Sequence, residues 1–260
     1  MLAIERRSQI LAKLQQERRV LVSDLSQFYN VTEETIRRDL EKLEKEGVAK
    51  KTYGGAILNE NFNIDLPYTV RKKSNVSNKQ QIAEIIAQMI EDGDHIIMDA
   101  SSTALYVAKR IKNKKNITLI TNSVEIILEL SDMTGWKILS TGGSLKEGSL
   151  SFVGYQAEDM IKKFHVDKAI ISCKGVDIEN GFTDSNEMDA QVKKAILNSA
   201  KYKILAADSS KFNKISFTKI GDFSDIDTIV TDNPLEENWE KVLSSKGVDI
   251  IYSKHEGNDC

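Results

Sequence analysis

Residues 1–58 predict three helices and a short hairpin, and residues 79–260 predict an α/β domain built on a mainly parallel sheet. Three observations carry that division. Apolar residues recur at helical spacing through the first helices, short apolar runs alternate with helical patterns from Lys79 onward, and the stretch between them is polar and irregular. Hydrophobic residues make up 40% of the chain and charged residues 29%, which suits a water-borne protein with a sizeable core. No run approaches the ~18 apolar residues of a membrane span. Met1-Leu2-Ala3-Ile4-Glu5-Arg6-Arg7 leads into a charged amphipathic pattern rather than a secretory signal. Cys173 and Cys260 are the only cysteines, so a reducing cytoplasm is expected and a disulfide framework is not. The net charge of −3 divides unevenly, with 11 basic and 9 acidic residues up to position 58 and 25 and 30 beyond it. Such asymmetry points to separate partners for the two segments.

Taken in order, Ile4 to Glu17 places Ile10, Leu11 and Leu14 on one helical face. After the Val20-Leu21-Val22 run, Ser23 is expected to cap a second helix bearing Leu25 and Phe28. Asn30-Val31 makes a tight turn. Thr32 caps a third helix whose Glu33 and Glu34 suit the positive end of the helix dipole. That helix runs to Glu46 and stops at Gly47, and Val48 to Ile57 forms two short strands bent around Gly54-Gly55. Residues 59–78 are the expected linker, with a docking segment at Leu66 to Val70. Helices are then expected at 79–91, 102–112, 124–131, 155–164, 186–200 and 235–245. Strands are expected at 95–99, 117–121, 136–140, 167–173, 203–207, 228–231 and 248–252. Buried strands alternating with helices imply a sheet covered on both faces. Ligands bind beyond the carboxyl ends of such strands, which directs attention to the loops starting at Asp99, Asn122, Gly142, Lys174 and Asp208.

On the third helix Ile36, Leu40 and Leu43 share the side that must face the other helices. Thr35, Arg38, Lys42 and Lys45 form a stripe on the other side, flanked by Arg37, which fits the major groove of DNA. Lys50, Lys51 and Tyr53 in the hairpin suit a wing on the adjacent backbone. The plain alternative is a solvated charged face, aided by Glu41, Glu44 and Glu46. Motifs decide between them. Arg6-Arg7-Ser-Gln-Ile10, Val22-Ser-Asp-Leu25 and Val31-Thr32-Glu-Glu-Thr35-Ile36-Arg37-Arg38-Asp39-Leu40, followed by Leu43-Glu44-Lys-Glu-Gly47 and Tyr53-Gly54-Gly55-Ala56, resemble the winged helix-turn-helix of the DeoR family of bacterial transcriptional regulators. Lys50-Lys51-Thr52-Tyr53 departs from that family, which often has Arg and then His before the glycines. The resemblance implies double-stranded operator DNA as partner and Ser23, Thr32, Thr35, Arg37, Arg38, Lys42, Lys51, Tyr53 and Gly54 as contacts. Asp39 reads as structural, orienting an arginine.

In the second domain, Asp99-Ala100-Ser101-Ser102-Thr103 joins a strand to a helix amino terminus, where free N–H groups and three hydroxyls suit an anion such as phosphate. The bland reading of Ser101 and Ser102 is ordinary helix capping. Asp99 to Thr103, Thr121-Asn122-Ser123, Gly142-Gly143, Gly175-Val176-Asp177 with Gly181, and Asp208-Ser209-Ser210-Lys211-Phe212 also resemble the DeoR effector domain, whose fold is similar to ribose-5-phosphate isomerase. Ser101 stands where that family commonly has Gly. The resemblance implies a phosphorylated sugar or related metabolite as effector, release of a repressor from a carbohydrate operon, and self-association as dimer or tetramer, with no cofactor. Ser101, Ser102 and Thr103 are assigned to the phosphate, with Lys211 as counter-charge. Asp99, Asp177 and Glu187 are assigned to sugar hydroxyls, and Asn122, Gly142, Gly143 and Lys174 to the surrounding site. Lys193 divides evenly between ligand and structural ion pair, and Lys79 matches the family without an evident chemistry.

A second reading is a sugar-phosphate isomerase with Asp177, Asp184 or Glu187 as base and a lysine as stabiliser, but it gives residues 1–58 no work. His95, His165 and His255 are scattered, so no metal is expected. Neither a G-x-S-x-G elbow nor a phosphate-binding P-loop is present. Gly143 and Gly148 have the P-loop spacing, but Ser149 follows where Lys is needed.

Overall fold

The computed structural model describes residues 2–45, 47–59 and 67–253, and the chain divides into two units, Met1–Ser74 and Asn75–Cys260. His255 and Cys260 lie outside the described residues, as does Glu46, the expected last residue of the third helix. Among the described residues no helix is long and apolar enough to cross a membrane.

In the first unit, α1 (Ala3–Glu17), β1 (Arg19–Leu21), α2 (Val22–Tyr29), α3 (Glu33–Lys45), β2 (Ala49–Thr52), β3 (Gly55–Leu58) and α4 (Tyr68–Lys73) follow one another. Ile10, Leu14, Leu25, Ile36, Leu40 and Leu43 close a core between the helices, as their spacing requires. β1, β3 and β2 form a small antiparallel sheet in that order. Ser23 is not the cap of α2. Leu21 pairs with Gly55 in the sheet and the chain turns straight into the helix, with the Val22 N–H donating to the Gly54 carbonyl. Thr32 does cap α3, accepting from the Thr35 N–H at 3.3 Å. The stretch expected as linker holds α4 and the start of the next helix. Among its polar neighbours Tyr68 and Val70 are buried, and Val70 joins the core of this unit. That part of the expected docking segment is thus packed, while Leu66 lies outside the described residues.

The second unit runs α5 (Val76–Met89), β4 (His95–Met98), α6 (Ser102–Arg110), β5 (Thr118–Thr121), α7 (Val124–Glu129), β6 (Lys137–Ser140), β7 (Ser144–Lys146), β8 (Ser151–Val153), α8 (Tyr155–Ile161), β9 (Val166–Ile171), β10 (Gly175–Asp177), β11 (Gly181–Asp184), α9 (Glu187–Asn198), β12 (Ala200–Ala206), β13 (Thr218–Gly221), β14 (Thr228–Thr231), α10 (Glu237–Ser245) and β15 (Asp249–Tyr252). Seven strands form one parallel sheet in the order β15-β14-β12-β9-β4-β5-β6. Ile96, Ile97 and Met98 are all fully buried although successive side chains point to opposite faces, so both faces are covered. Helices α5 and α6 pack together, with α5 reaching β14 and β15, while α8 and α9 pack together and α9 lies on β9 and β12. The β7–β8 hairpin and the small β10-β11-β13 sheet are antiparallel additions that apolar runs did not reveal.

From β4 the chain steps to β5 and β6 on one side and later to β9, β12, β14 and β15 on the other. The strand order therefore reverses between β4 and β9, and it is beyond the carboxyl ends at such a switch point that sheets of this kind bind ligands.

Candidate nucleic-acid interface and anion site

On α3 the apolar stripe is buried and the polar stripe is open. Arg37, Arg38 and Lys42 are exposed and Thr35 is half-buried. Two of these cations are steadied from the preceding turn of the helix, Arg37 by Glu33 at 2.6 Å and Arg38 by Glu34 at 3.4 Å. Both pairs lie in water, where such contacts contribute little stability and exchange readily for a phosphate or a base. The Thr32 and Thr35 hydroxyls sit 2.9 Å apart at the start of the helix, and Ser23 is exposed on α2. Lys51 is less free than expected. Its N–H donates to Glu44 and its ammonium to Glu41, each at 3.0 Å, so it ties the wing to α3. That hydrogen bond holds the Glu41 carboxyl below its ordinary range. Tyr53 stands fully exposed at the wing tip beside Gly54, whose φ of +82° makes the turn.

Asp39 is structural, as expected, but its arginines are not its neighbours on α3. It is buried and pairs with Arg6 at 2.6 Å and Arg7 at 3.5 Å, both on α1.

In the second unit, the parallel register puts the loops after β9, β4, β5 and β6 side by side at one end of the sheet. Met98 pairs with Thr121, which places Asn122 beside Asp99. The Thr141 N–H donates to the Thr121 carbonyl, which brings Gly142 and Gly143 next to Asn122. Ser101 is the cap of α6, accepting from the Ala104 N–H at 3.0 Å, so its oxygen already serves the helix. The N–H groups of Ser102 and Thr103 are left without intrahelical partners, and both residues are buried. Asn122 is 3% exposed; its amide donates to the Phe152 carbonyl at 3.0 Å, while its Oδ1 is buried with no partner among the described residues. A buried carbonyl oxygen in that state lacks a donor, at a cost of about 1–3 kcal/mol until one arrives.

Asp99 is buried with both oxygens engaged. One carboxylate oxygen accepts from the Ser101 N–H and the other from the Ser172 N–H, each at 3.0 Å, so the residue fastens the β4 loop to the β9 loop. Lys193 proves to be a buried ion-pair residue. Its ammonium contacts Asp184, lies 3.4 Å from Asp99 and donates to the Ser172 carbonyl at 2.7 Å. Burial pushes the Asp184 carboxyl up, but Lys193, Lys174 and the Ser185 N–H outweigh it and hold it below the usual range. Burial likewise opposes the charge on Lys193, and Asp184 and Asp99 more than restore it, so its pKa is raised.

The remaining assignments scatter. Asp177 accepts from the Glu179 and Asn180 N–H groups and the Asn180 amide, which makes it a turn residue of the β10–β11 hairpin. Glu187 is exposed in the first turn of α9. Lys174 donates its N–H to the Thr183 carbonyl, and its charge bears on Asp184. Lys211 is half-buried in the turn after β12, where its charge is the chief influence opposing burial at Asp208 and holds that carboxyl low. Burial pushes the Cys173 thiol up to about 12 despite Lys193 and Lys211, so it is inert. Among the described residues no three His, Cys, Asp or Glu side chains gather to hold a metal.

Sequence reasoning missed a polar cluster at the ends of β12 and β14. Asn75 donates to Asp208 at 3.2 Å and to Ser210 at 3.1 Å, and Asn78 donates to Asp232 at 2.6 Å. Asp232 also accepts from the Ser209 N–H and hydroxyl. Lys79, buried on the same turn of α5, adds its charge to Asp208. No spacing could reveal pairs that lie 133 and 154 positions apart.

Residues 6–62 match the family described as the DeoR-like helix-turn-helix domain, and residues 74–233 the DeoR C terminal sensor domain. The chain is 41% identical over 250 residues to the HTH-type transcriptional regulator YulB of Bacillus subtilis, covering 96% of each chain. It is 34% identical over 256 residues to the HTH-type transcriptional repressor GlcR of the same organism, covering 98% of each. With the L-fucose operon activator of Haemophilus influenzae it shares 32% identity over 232 residues, 89% of this chain and 93% of that one. Among solved structures, ribose 5-phosphate isomerase A of Methanocaldococcus jannaschii aligns with a TM-score of 0.39 at 16% identity, over 54% of this chain and 55% of that one.

Proposed function

Since the chain belongs to the DeoR family of transcriptional regulators, and is thus a DNA-binding regulator rather than an enzyme, we propose that it is a cytoplasmic repressor of a sugar or carbohydrate operon, released from its operator by a phosphorylated sugar. A two-fold operator calls for at least a dimer. Names of relatives support the two parts separately: one is an L-fucose operon activator, which supports the sugar connection, and another is a transcriptional repressor.

One observation carries the effector reading: the unpartnered Asn122 Oδ1 beside the amino terminus of α6, whose first N–H groups have no intrahelical partner. Phosphate only accepts hydrogen bonds at neutral pH, so it suits the N–H groups of Ser102 and Thr103 and cannot satisfy Asn122. A sugar hydroxyl donates, and can. A phosphorylated sugar supplies both groups in one molecule. Gly142, Gly143 and Lys174 follow the neighbouring strand ends, and Lys211 lies in the turn after β12. Asp99, Asp177 and Lys193 hold these loops in shape.

The signal has a short route to travel. Asn75 is the first residue of the sensor unit, and its side chain is bonded to Asp208 and Ser210 in the Lys211 loop. A ligand that shifts this loop shifts the residue at which the chain crosses to the DNA-reading unit. Control then requires that the effector bind the two DNA-binding states with different affinity.

A thermal-shift series with sugar phosphates, followed by gel shifts with operator DNA, tests this reading. Binding to the native state raises the melting temperature with ligand concentration. Ser102→Asp puts a carboxylate where the phosphate sits, and is expected to keep operator binding while abolishing release by sugar phosphate. Release as in the wild type would remove the phosphate from α6. On the DNA side, Arg38→Ala is expected to weaken operator binding roughly tenfold or more, the range of a lost base contact, with effector-induced thermal shifts unchanged. Undiminished gel-shift affinity would move the reading surface elsewhere.

A further inference from the structure

Asp39 lies inside α3, next in sequence to Arg38, and is buried at 3% exposure. Its partner Arg6 is the one charged residue of α1 that is buried among the described side chains. Their side chains are 5% and 9% exposed, with Arg6 Nε 2.6 Å from Asp39 Oδ2. Arg7 adds a longer contact to the other oxygen. The Arg6 charge also reaches Tyr29 at the end of α2, where it opposes the upward push of burial on the phenol. One guanidinium thus bears on all three helices of the reading unit.

The buried apolar residues of that core are all aliphatic, with Tyr29 packed against them. Aliphatic contacts are non-directional and hold helices together without fixing their rotation closely. A buried ion pair has the opposite character. Desolvation consumes most of its attraction, so its net stability is small, but it is satisfied in one arrangement only. Each residue of a helix turns about 100°, so the rotation that sets Asp39 against Arg6 also sets where Thr35, Arg38 and Lys42 point. We propose that the Arg6–Asp39 pair is a positioning device that fixes the rotation of α3, and that it contributes sequence specificity rather than affinity or stability. The proposal rests on α3 being the DNA-reading helix.

The test uses the full chain carrying Arg6→Met together with Asp39→Leu, a replacement that leaves the net charge unchanged. Two duplexes are compared: the sequence that the wild type selects from a random pool, and a random duplex of the same length. The double variant is expected to melt at or above the wild-type temperature and to bind the random duplex with unchanged affinity and salt dependence, because the exposed cations remain. Its preference for the selected duplex is expected to fall at least tenfold. Asp39→Glu, which keeps a carboxylate facing Arg6, is expected to recover part of that preference. An intact preference in the folded double variant would overturn the proposal. So would an equal loss on both duplexes, or failure to fold, since the pair would then be supporting the unit rather than aiming it. If the wild type itself selects no sequence, the DNA-reading role of α3 falls with it, and that outcome is seen before any variant is made.

Discussion

Lys193→Met is expected to lower the melting temperature of the sensor unit by roughly 10 °C. Removing one member of a buried ion pair costs about 3–5 kcal/mol, because the other charge is left buried without compensation. In a domain of this size each kcal/mol moves the transition by about 2–4 °C. Here two carboxylates, Asp184 and Asp99, face the same ammonium, and the Ser172 carbonyl loses its donor as well. The pH dependence identifies the cause. The Asp184 carboxyl is depressed in the folded state, so its contribution is present above its unfolded pKa and is lost as pH falls through the folded one. The Lys193 ammonium is raised, so its contribution is present below the ordinary lysine range and is lost only as pH rises through the folded value. The difference between wild type and variant is therefore full near neutrality and narrows below about pH 4, as pH falls toward the depressed folded-state pKa of Asp184. Adding Asp184→Asn to the variant removes one stranded charge and is expected to recover part of the loss. Calorimetry across pH checks this, and a small, pH-independent loss would assign Lys193 to the ligand after all.

That pair also shows what a sequence conceals. The sequence divides Lys193 evenly between ligand and ion pair, since a charged helix residue is often merely solvated; the structure brings Asp99 and Asp184 to it from the ends of β4 and β11. Asp39 reads as structural because it stands beside Arg37 and Arg38, yet the arginine it holds lies 33 residues away on another helix. What was legible was what depends on period. Ile36, Leu40 and Leu43 fell on one face of α3, and stretches such as Ile96 to Met98 and Ala169 to Ile171 stood out as unbroken apolar runs. What was not legible depends on strands too short to show a period and on long-range pairing. Gly175–Asp177 and Ser144–Lys146 are three residues long and largely polar, so their hairpins with Gly181–Asp184 and Ser151–Val153 leave no apolar run to find. Phe182 pairs with Gly221, for instance, across two other elements. Asp99 shows the same: a carboxylate at a strand end looks unengaged, and the Ser172 N–H that binds it lies 73 residues away.

Gly55→Ala is expected to abolish operator binding, while Gly54→Asn next to it is expected to be tolerated. The two glycines answer different demands. Gly54 has φ of +82° with nothing within 4 Å of the position a Cβ would take, so the demand is on the torsion alone. Asn adopts that region more readily than other side chains, and the substitution costs about 1 kcal/mol or less. At Gly55 the demand is space. A Cβ would lie 2.1 Å from the Val20 carbonyl oxygen, 3.1 Å from its carbon and 3.2 Å from the Leu21 Cα, all backbone atoms of β1. Those atoms cannot turn aside as a side chain would. To admit a methyl group, β1 must leave β3, breaking the register of Val20 with Ala56 and Leu21 with Gly55, and with it the Val22 N–H bond to Gly54 that starts α2. Overpacking into fixed backbone belongs to the mechanisms that reach about 4 kcal/mol or more, a large share of what a unit of this size can hold. The wing and α3 share one core, so losing the strand pair loses the reading surface too. Gel shifts with the two single variants, beside melting curves in which the sensor transition serves as internal reference, make the comparison. Wild-type binding by the Gly55→Ala protein would mean that β1 does not hold the wing in the DNA-bound state.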